Sequence, residues 1–558
     1  MWRGAVLLFA FVVLLGFASG GQPPAAAQGS VTWKACGGGF ECATLDVTLD
    51  YTKPAARTIE LALVRLPATK PAERQGILLA NPGGPGASGI EFTRSWARAL
   101  DSGIRERFDI IGWDPRGIGA STPLDCHENL QALIAADPTP DNQEEWDAMV
   151  AENRAMAAEC ERESGELLPH LGTKNVARDM DAIRTALGEE TLNYIGYSYG
   201  TVIGQAYAEL FPKRIRAMVL DGAVDLALSP DERNRTQAEG FERALNSFIA
   251  DCEENDCALT KRGGAGVAID EVVARAEAAP IPSKSADRPA GPGEVLFGLA
   301  SPLYTRQRWP ELVRAIEGAL DGDGSRLVRL TDDYLNRGPN GYDNSTETNT
   351  AVNCVDQPAT PTVTNFTSYR TAAREFANVA PRFGPAFASF IGCTVWPARP
   401  DPLTAPKAAE APPILVISTS GDPATPYEWG VAVSLQLPGA RLLSFGGEGH
   451  TAYLRGDSCI DGAVNRYLLD LTLPAVGKVC GDTGAVKAQA PPTEAPGAAS
   501  TDSTVTPEAG AETGGVAAQA GGRPRWFWAV LGSTLAVVFV AAAGATAILR
   551  ARGASARP

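Results

Sequence analysis

Gly196-Tyr197-Ser198-Tyr199-Gly200 sets one serine between two glycines, after the mostly apolar run 192–195 and before a helix-like run, 202–211. A strand, a sharp turn and a helix in that order hold a serine hydroxyl exposed at a strained bend, where it can attack a carbonyl. A serine is a weak nucleophile unless a base within hydrogen-bond reach takes its proton. The chain has three histidines, His127, His170 and His450. Only His450 follows the serine, as a base does when the chain order is serine, acid, histidine. It ends the stretch Gly446-Gly447-Glu448-Gly449-His450 after the apolar run 441–445. This reads as a flexible loop at a strand end, from which a base can reach the serine. Taken alone, a histidine in a glycine loop is a surface residue; the elbow changes that reading.

The acid is expected at the end of the preceding strand. Run 413–418 is apolar and β-branched, and Gly421-Asp422-Pro423-Ala424-Thr425-Pro426 follows it. Asp422 there can fix the imidazole tautomer and stabilise the imidazolium. Asp401 is the weaker alternative, since it precedes the strand. The remaining part is a site for the developing oxyanion. Run 76–80 reads as a buried strand, and Asn81-Pro82-Gly83-Gly84-Pro85-Gly86 follows it. Glycines let backbone N–H groups come close to an alkoxide. Gly84 and Tyr199 are the expected donors, with Gly83 less favoured.

Several of these stretches together resemble a known family. They are Asn81-Pro82-Gly83-Gly84-Pro85-Gly86, Asp114-Pro115-Arg116-Gly117-Ile118-Gly119-Ala120-Ser121, the elbow with Thr201, Asp422-Pro423-Ala424-Thr425-Pro426 and the segment ending at His450. The chain is similar to the secreted tripeptidyl aminopeptidases, relatives of proline iminopeptidase among the α/β-hydrolases, from about residue 49 to Cys480. The resemblance implies an α/β-hydrolase fold and removal of short peptides from free N-termini, with no cofactor and no metal. Such an enzyme must recognise a free ammonium, and Asp356 and Glu239 are candidates for it. Each reads equally well as a solvated surface charge.

The elements that position these residues follow from the landmarks. Eight strands are expected, at 44–50, 59–66, 76–80, 108–113, 192–195, 217–221, 413–418 and 441–445, in a mostly parallel sheet. The core occupies 28–223 and 395–481. Between them, 224–394 carries helix-like stretches at 239–252, 310–320 and 368–376 and reads as a helical lid insertion over the site.

Composition points to an exported protein. Residues 1–27 have Arg3, an apolar run and a small-residue stretch at Ala25-Ala26-Ala27, the pattern of a signal peptide. All ten cysteines, an even number, follow it, which suits disulfides. The sequence does not fix their connectivity; pairing of neighbours would give Cys36–Cys42, Cys126–Cys160, Cys252–Cys257, Cys354–Cys393 and Cys459–Cys480. With so few histidines and no C-x-x-C, metal ligation is disfavoured. A net charge of −16 argues against nucleic acid or an anionic surface as the main partner.

Residues 482–522, rich in Ala, Pro, Thr and Gly, lack the apolar side chains to build a core and read as a disordered tether. Residues 526–549 carry no charge and are long enough for one transmembrane helix. Trp526 and Trp528 suit the outer interface, and Arg550, Arg552 and Arg557 make 550–558 a basic inner tail. Gly510-Ala511-Glu512-Thr513-Gly514 resembles a cell-wall sorting signal, but membrane anchoring is the favoured reading.

The expectation is an outward-facing serine exopeptidase acting on peptides. A carboxylesterase or lipase with the same triad is the alternative, and an inactive hydrolase fold serving as a binding module is a third.

Overall fold

The computed structural model describes residues 31–53, 57–126, 130–358, 362–388 and 391–486. The described residues all fall in one compact unit. The signal segment 1–27, the 510–514 stretch, the 526–549 segment, the 550–558 tail, nearly all of the 482–522 tether and His127 lie outside the described residues.

Among the described residues twelve strands follow in chain order: β1 Lys34–Ala35, β2 Glu41–Thr48, β3 Thr58–Leu66, β4 Gly76–Asn81, β5 Phe108–Trp113, β6 Leu192–Tyr197, β7 Ile215–Asp221, β8 Arg337–Gly338, β9 Gly341–Tyr342, β10 Leu415–Gly421, β11 Arg441–Glu448 and β12 Val479–Gly481. Ten form one sheet in the order β1-β2-β3-β5-β4-β6-β7-β10-β11-β12; β8 and β9 make a separate ribbon. The pairs from β5 through β12 are parallel, and β1, β2 and β3 add antiparallel neighbours at one edge.

Every residue of β4, β5 and β6 is buried. Strands covered by helices on both faces read as continuous apolar runs rather than alternating ones, which is how these three look in the sequence. The expected count of eight strands is corrected to ten. The two additions, β1 and β12, are too short to show any alternation. A second correction concerns the glycines before His450. Gly446, Gly447 and Glu448 are not loop: they continue β11, pairing Gly446 with Gly481 of β12 and Glu448 with Gly421 of β10.

The segment between β7 and β10 is mainly helical. The stretches expected at 239–252, 310–320 and 368–376 fall within the helices Pro230–Glu254, Trp309–Leu320 and Phe366–Ala377. The first starts early because Ser229 and Glu232 form a reciprocal capping box and Pro230 takes the first turn. The segment has its own apolar core around Phe241, Phe248, Val272, Leu312, Ile316 and Leu327. Burial of side chains of this size contributes about 1.5–3 kcal/mol each.

Five disulfides are formed, Cys36–Cys42, Cys126–Cys160, Cys252–Cys257, Cys354–Cys393 and Cys459–Cys480, and among the described residues no cysteine is free. Beneath the Asp114–Ser121 loop lies a buried ion pair. Arg116 donates to both oxygens of Asp179 at 2.7 and 2.6 Å, with both side chains at 0 % exposure. Its other donors reach the carbonyls of Thr48, Leu49 and His170. His170 is therefore bound up in core architecture through its backbone.

Candidate active site

Ser198 sits between the end of β6 and the helix Tyr199–Leu210, with φ 53° and ψ −124°. A non-glycine residue there is strained and is held only if its surroundings over-determine it. They do so from both sides. The Ser198 N–H donates to the Asp221 carbonyl at 2.9 Å, and Thr201 donates to the Ser198 carbonyl through its N–H at 2.8 Å and its hydroxyl at 2.6 Å. The flanking glycines are required by contact: a Cβ at Gly196 would lie 2.3 Å from the Gly200 carbonyl oxygen, and one at Gly200 would lie 2.7 Å from that of Asn81.

His450 and Asp422 meet at the ends of β11 and β10. His450 Nδ1 lies 2.9 Å from each carboxylate oxygen of Asp422. A carboxylate only accepts, so Nδ1 carries a proton, and in the neutral ring Nε2 is then the nitrogen left with a lone pair. Asp422 is 2 % exposed, and its oxygens are oriented by four further donors. Oδ1 accepts the N–H groups of Ala424 and Thr425 at 2.9 and 2.8 Å. Oδ2 accepts the Thr425 hydroxyl at 3.0 Å and the Thr451 N–H at 3.2 Å. Asp401 is elsewhere, on the surface, where it pairs with Lys174 at 2.5 Å.

The loop after β4 lies against the elbow. A Cβ on Gly83 would come within 2.8 Å of Ser198 Cβ and 3.1 Å of the Tyr199 nitrogen. The Gly83 N–H itself donates to Asn81 Oδ1 at 2.9 Å. Among the described residues no group accepts the N–H of Gly84 or of Tyr199, which leaves these two donors free. Asp114 steadies the far side of the loop, taking the Ser88 hydroxyl at 2.6 Å and the Ile90 and Ala120 N–H groups.

Neither of the two carboxylates considered for a substrate ammonium hydrogen-bonds to a triad residue among the described residues. Glu239 pairs with Arg235 one helical turn away at 3.5 Å. Asp356 accepts the Thr173 N–H at 2.9 Å and the Thr173 hydroxyl at 2.5 Å, and that hydroxyl lies 2.5 Å from the Tyr199 phenol oxygen. Burial raises the Asp356 carboxyl to about 7, against the pull of the Thr173 donors.

Sequence reasoning missed three residues here. Thr425 lies in the acid's own motif and touches both Asp422 and, at 3.3 Å, His450 Nδ1. Asp221 ends the strand beside the elbow. Tyr304, from the helical insertion, packs its ring edge-on against the imidazole with centroids 5.2 Å apart. Thr425 could have been found from its place three residues after Asp422. The other two are brought in by tertiary packing alone. One described cluster, Asp457 with Cys459 and Cys480, has the spacing of metal ligands, but its two sulfurs are bonded to each other and offer no thiolate.

These are the groups that acyl transfer uses: a hydroxyl at a strained turn, an imidazole held by a carboxylate, and a glycine loop that lies against the serine through Gly83. Comparison with known proteins agrees. Residues 76–260 match the model of the α/β-hydrolase fold, and 380–480 match the model of TAP-like proteins. Serine protease Hip1 of Mycobacterium tuberculosis is 39 % identical over 465 residues, covering 79 % of this chain and 88 % of that one. Carboxylesterase B of the same organism is 38 % identical over 460 residues, with 79 % and 86 % covered. Tripeptidyl aminopeptidase of Streptomyces lividans is 32 % identical over 472 residues, with 80 % and 85 % covered.

Proposed function

The chain belongs to the TAP-like α/β-hydrolases and is a serine hydrolase of the peptidase kind, and from that premise we propose that it is an exopeptidase releasing short peptides, tripeptides foremost, from free N-termini. Ser198 Oγ attacks the scissile carbonyl as His450 Nε2 takes its proton. Asp422 holds the imidazole and the charge it acquires. The Gly84 and Tyr199 N–H groups receive the oxyanion. His450 then protonates the leaving amine as the C–N bond breaks, and water, deprotonated by the same imidazole, releases the acyl-enzyme.

The observation that supports this reading is that Asp221 holds both segments: its carbonyl takes the N–H of the strained Ser198, and its carboxylate takes the N–H groups of Ala452 and Tyr453 just after His450, whose imidazole lies 2.9 Å from both oxygens of Asp422. Asp356, linked through Thr173 to Tyr199, is the carboxylate proposed to meet the substrate ammonium. The enzyme is proposed to work outside the cell, tethered by 526–549, on the strength of the signal-like and uncharged segments of its sequence. Among the described residues no helix is long and apolar enough to cross a membrane.

The test is a panel of peptides of graded length with free and acetylated N-termini, beside short-chain esters. Cleavage of free-ended peptides three residues from the N-terminus, and their protection by acetylation, is expected. Indifference to acetylation, or turnover of esters alone, would turn the reading toward an esterase, the activity named for one relative.

A further inference from the structure

Asp221 closes β7 and is fully buried, and its backbone and side chain serve different parts of the site. Its carbonyl accepts the Ser198 N–H at 2.9 Å. Its carboxylate accepts the Ala452 N–H at 3.1 and 3.0 Å and the Tyr453 N–H at 2.8 Å. Ala452 and Tyr453 are the second and third residues after His450. The first, Thr451, has φ 65° and gives its N–H to Asp422 at 3.2 Å. The left-handed bend at Thr451 thus turns three successive N–H groups inward, making the kind of concavity that binds anions. The anions it holds are two carboxylates of the chain itself, Asp422 and Asp221. The imidazole stands beside this strand end: a Cβ on Gly222 would lie 3.3 Å from His450 Cε1 and 2.8 Å from Thr425 Oγ1.

Among the described residues no lysine or arginine pairs with Asp221. The titratable groups whose charge acts on it are His450, Asp422 and, from β6, Tyr197. Burial lifts the Asp221 carboxyl to about 6; the Tyr453 and Ala452 N–H groups and His450 pull it down, and Asp422 pushes it up. A buried carboxylate without a cation is costly unless dipoles or a developing positive charge compensate it. The N–H groups supply the dipoles. The imidazolium that forms during acyl transfer supplies the charge.

On the reading of Ser198, His450 and Asp422 given above, we infer that Asp221 is a positioning residue of the reaction. Its carbonyl sets the elbow, its carboxylate sets the loop that carries the base, and its charge favours the imidazolium formed when Ser198 loses its proton. An asparagine could accept one N–H but would turn an amide N–H₂ toward another. It would also remove the charge, so the imidazolium would lose its proton more readily.

Asp221→Asn in the full chain tests this through the pH dependence of kcat/KM on a peptide substrate. The expected result is a fall in kcat of about tenfold or more with KM within about threefold, and an acid limb displaced to lower pH by about half a unit or more. Unchanged kcat overturns the inference. So does a loss of kcat with the acid limb unmoved, since a purely structural role has no reason to shift it. A fluorophosphonate titration runs beside it. Wild-type enzyme left unlabelled at Ser198 overturns the parent reading, whereas labelled wild type with an indifferent Asp221→Asn overturns this inference alone. If Asp221→Asn does not accumulate, the wild type answers instead. With three histidines in the chain, ring NMR resolves His450. A second inflection in its titration near the Asp221 value of about 6 supports the coupling, and a single inflection overturns it.

Discussion

The carbonyl of Tyr304 accepts the main-chain N–H of His450 at 2.9 Å, while the two rings meet edge to face. A residue of the helical insertion therefore grips the base at both backbone and ring. The Phe241 ring also packs on Tyr304, at 5.9 Å between centroids, and the Tyr334 hydroxyl lies 3.1 Å from the Tyr304 hydroxyl. The insertion thus contacts the residue proposed as the base through both backbone and ring.

Tyr304→Ala keeps the carbonyl but removes the ring. With the imidazole less confined, kcat/KM is expected to fall about tenfold, mainly in kcat, as steady-state kinetics on one peptide will measure. An unchanged kcat would mean that Asp422 alone orients His450.

Ser198→Ala should abolish hydrolysis, by about 10⁴-fold or more, while circular dichroism and melting stay near wild type. Near-wild-type turnover by the purified variant would remove the mechanism.

Asp422→Asn should lower kcat by about 10⁴-fold, because an amide beside Nδ1 stabilises the wrong tautomer. Asp401→Asn, a change at a surface ion pair, should leave kcat within about twofold. Thr425→Ala removes one of several donors to Asp422 and should cost less than Asp422→Asn. A silent Asp422→Asn with an inactive Asp401→Asn would relocate the acid.

Glu347 is 7 % exposed, and its Oε2 has no hydrogen-bond partner. Burial raises its carboxyl to about 7, with Asp343 and Asp125 pushing the same way. The folded chain thus keeps a proton that the unfolded chain releases near the ordinary glutamate value of about 4.3. Stability from this group is lost as pH rises from there to about 7. Glu347→Gln should flatten the fall of Tm across that window; an unaltered slope would show that Glu347 is solvated.

A chain ending near Asp482 should be active and soluble, and should pass to the medium while the full chain fractionates with membranes. Gly446 pairs with Gly481, and Asp482 donates its N–H to the Gly446 carbonyl at 2.9 Å, so the cut must not fall earlier. Membrane retention of the shortened chain would place the anchor elsewhere; lost activity would place part of the fold beyond 482.

The parts of the site that were legible in sequence are those whose chemistry is local. Ser198 is marked by the glycines that its own turn demands, and His450 by being the one histidine beyond it. Asp422 is marked by a strand end. Asp221 and Tyr304 carry no such mark, since an aspartate closing an apolar strand and a tyrosine among helices come beside the His450 segment only through contacts made over 231 positions of chain or from within the insertion. Gly446–Glu448 were misread because glycine is a poor strand former, whereas a neighbouring backbone decides the matter: a Cβ on Gly446 would lie 1.7 Å from the Asp482 carbonyl oxygen. The edge strands β1 and β12 were too short to leave a period.

The disulfides join residues 6, 34, 5, 39 and 21 positions apart, and none encloses or crosses another. In chain order the ten cysteines pair off two by two, the first with the second, the third with the fourth and so on. A polypeptide threaded through a pore with its N-terminus leading would therefore present every thiol with its native mate before any rival emerged. Oxidation in order of arrival and oxidation to the native pattern are the same process for this chain, which would then need little reshuffling.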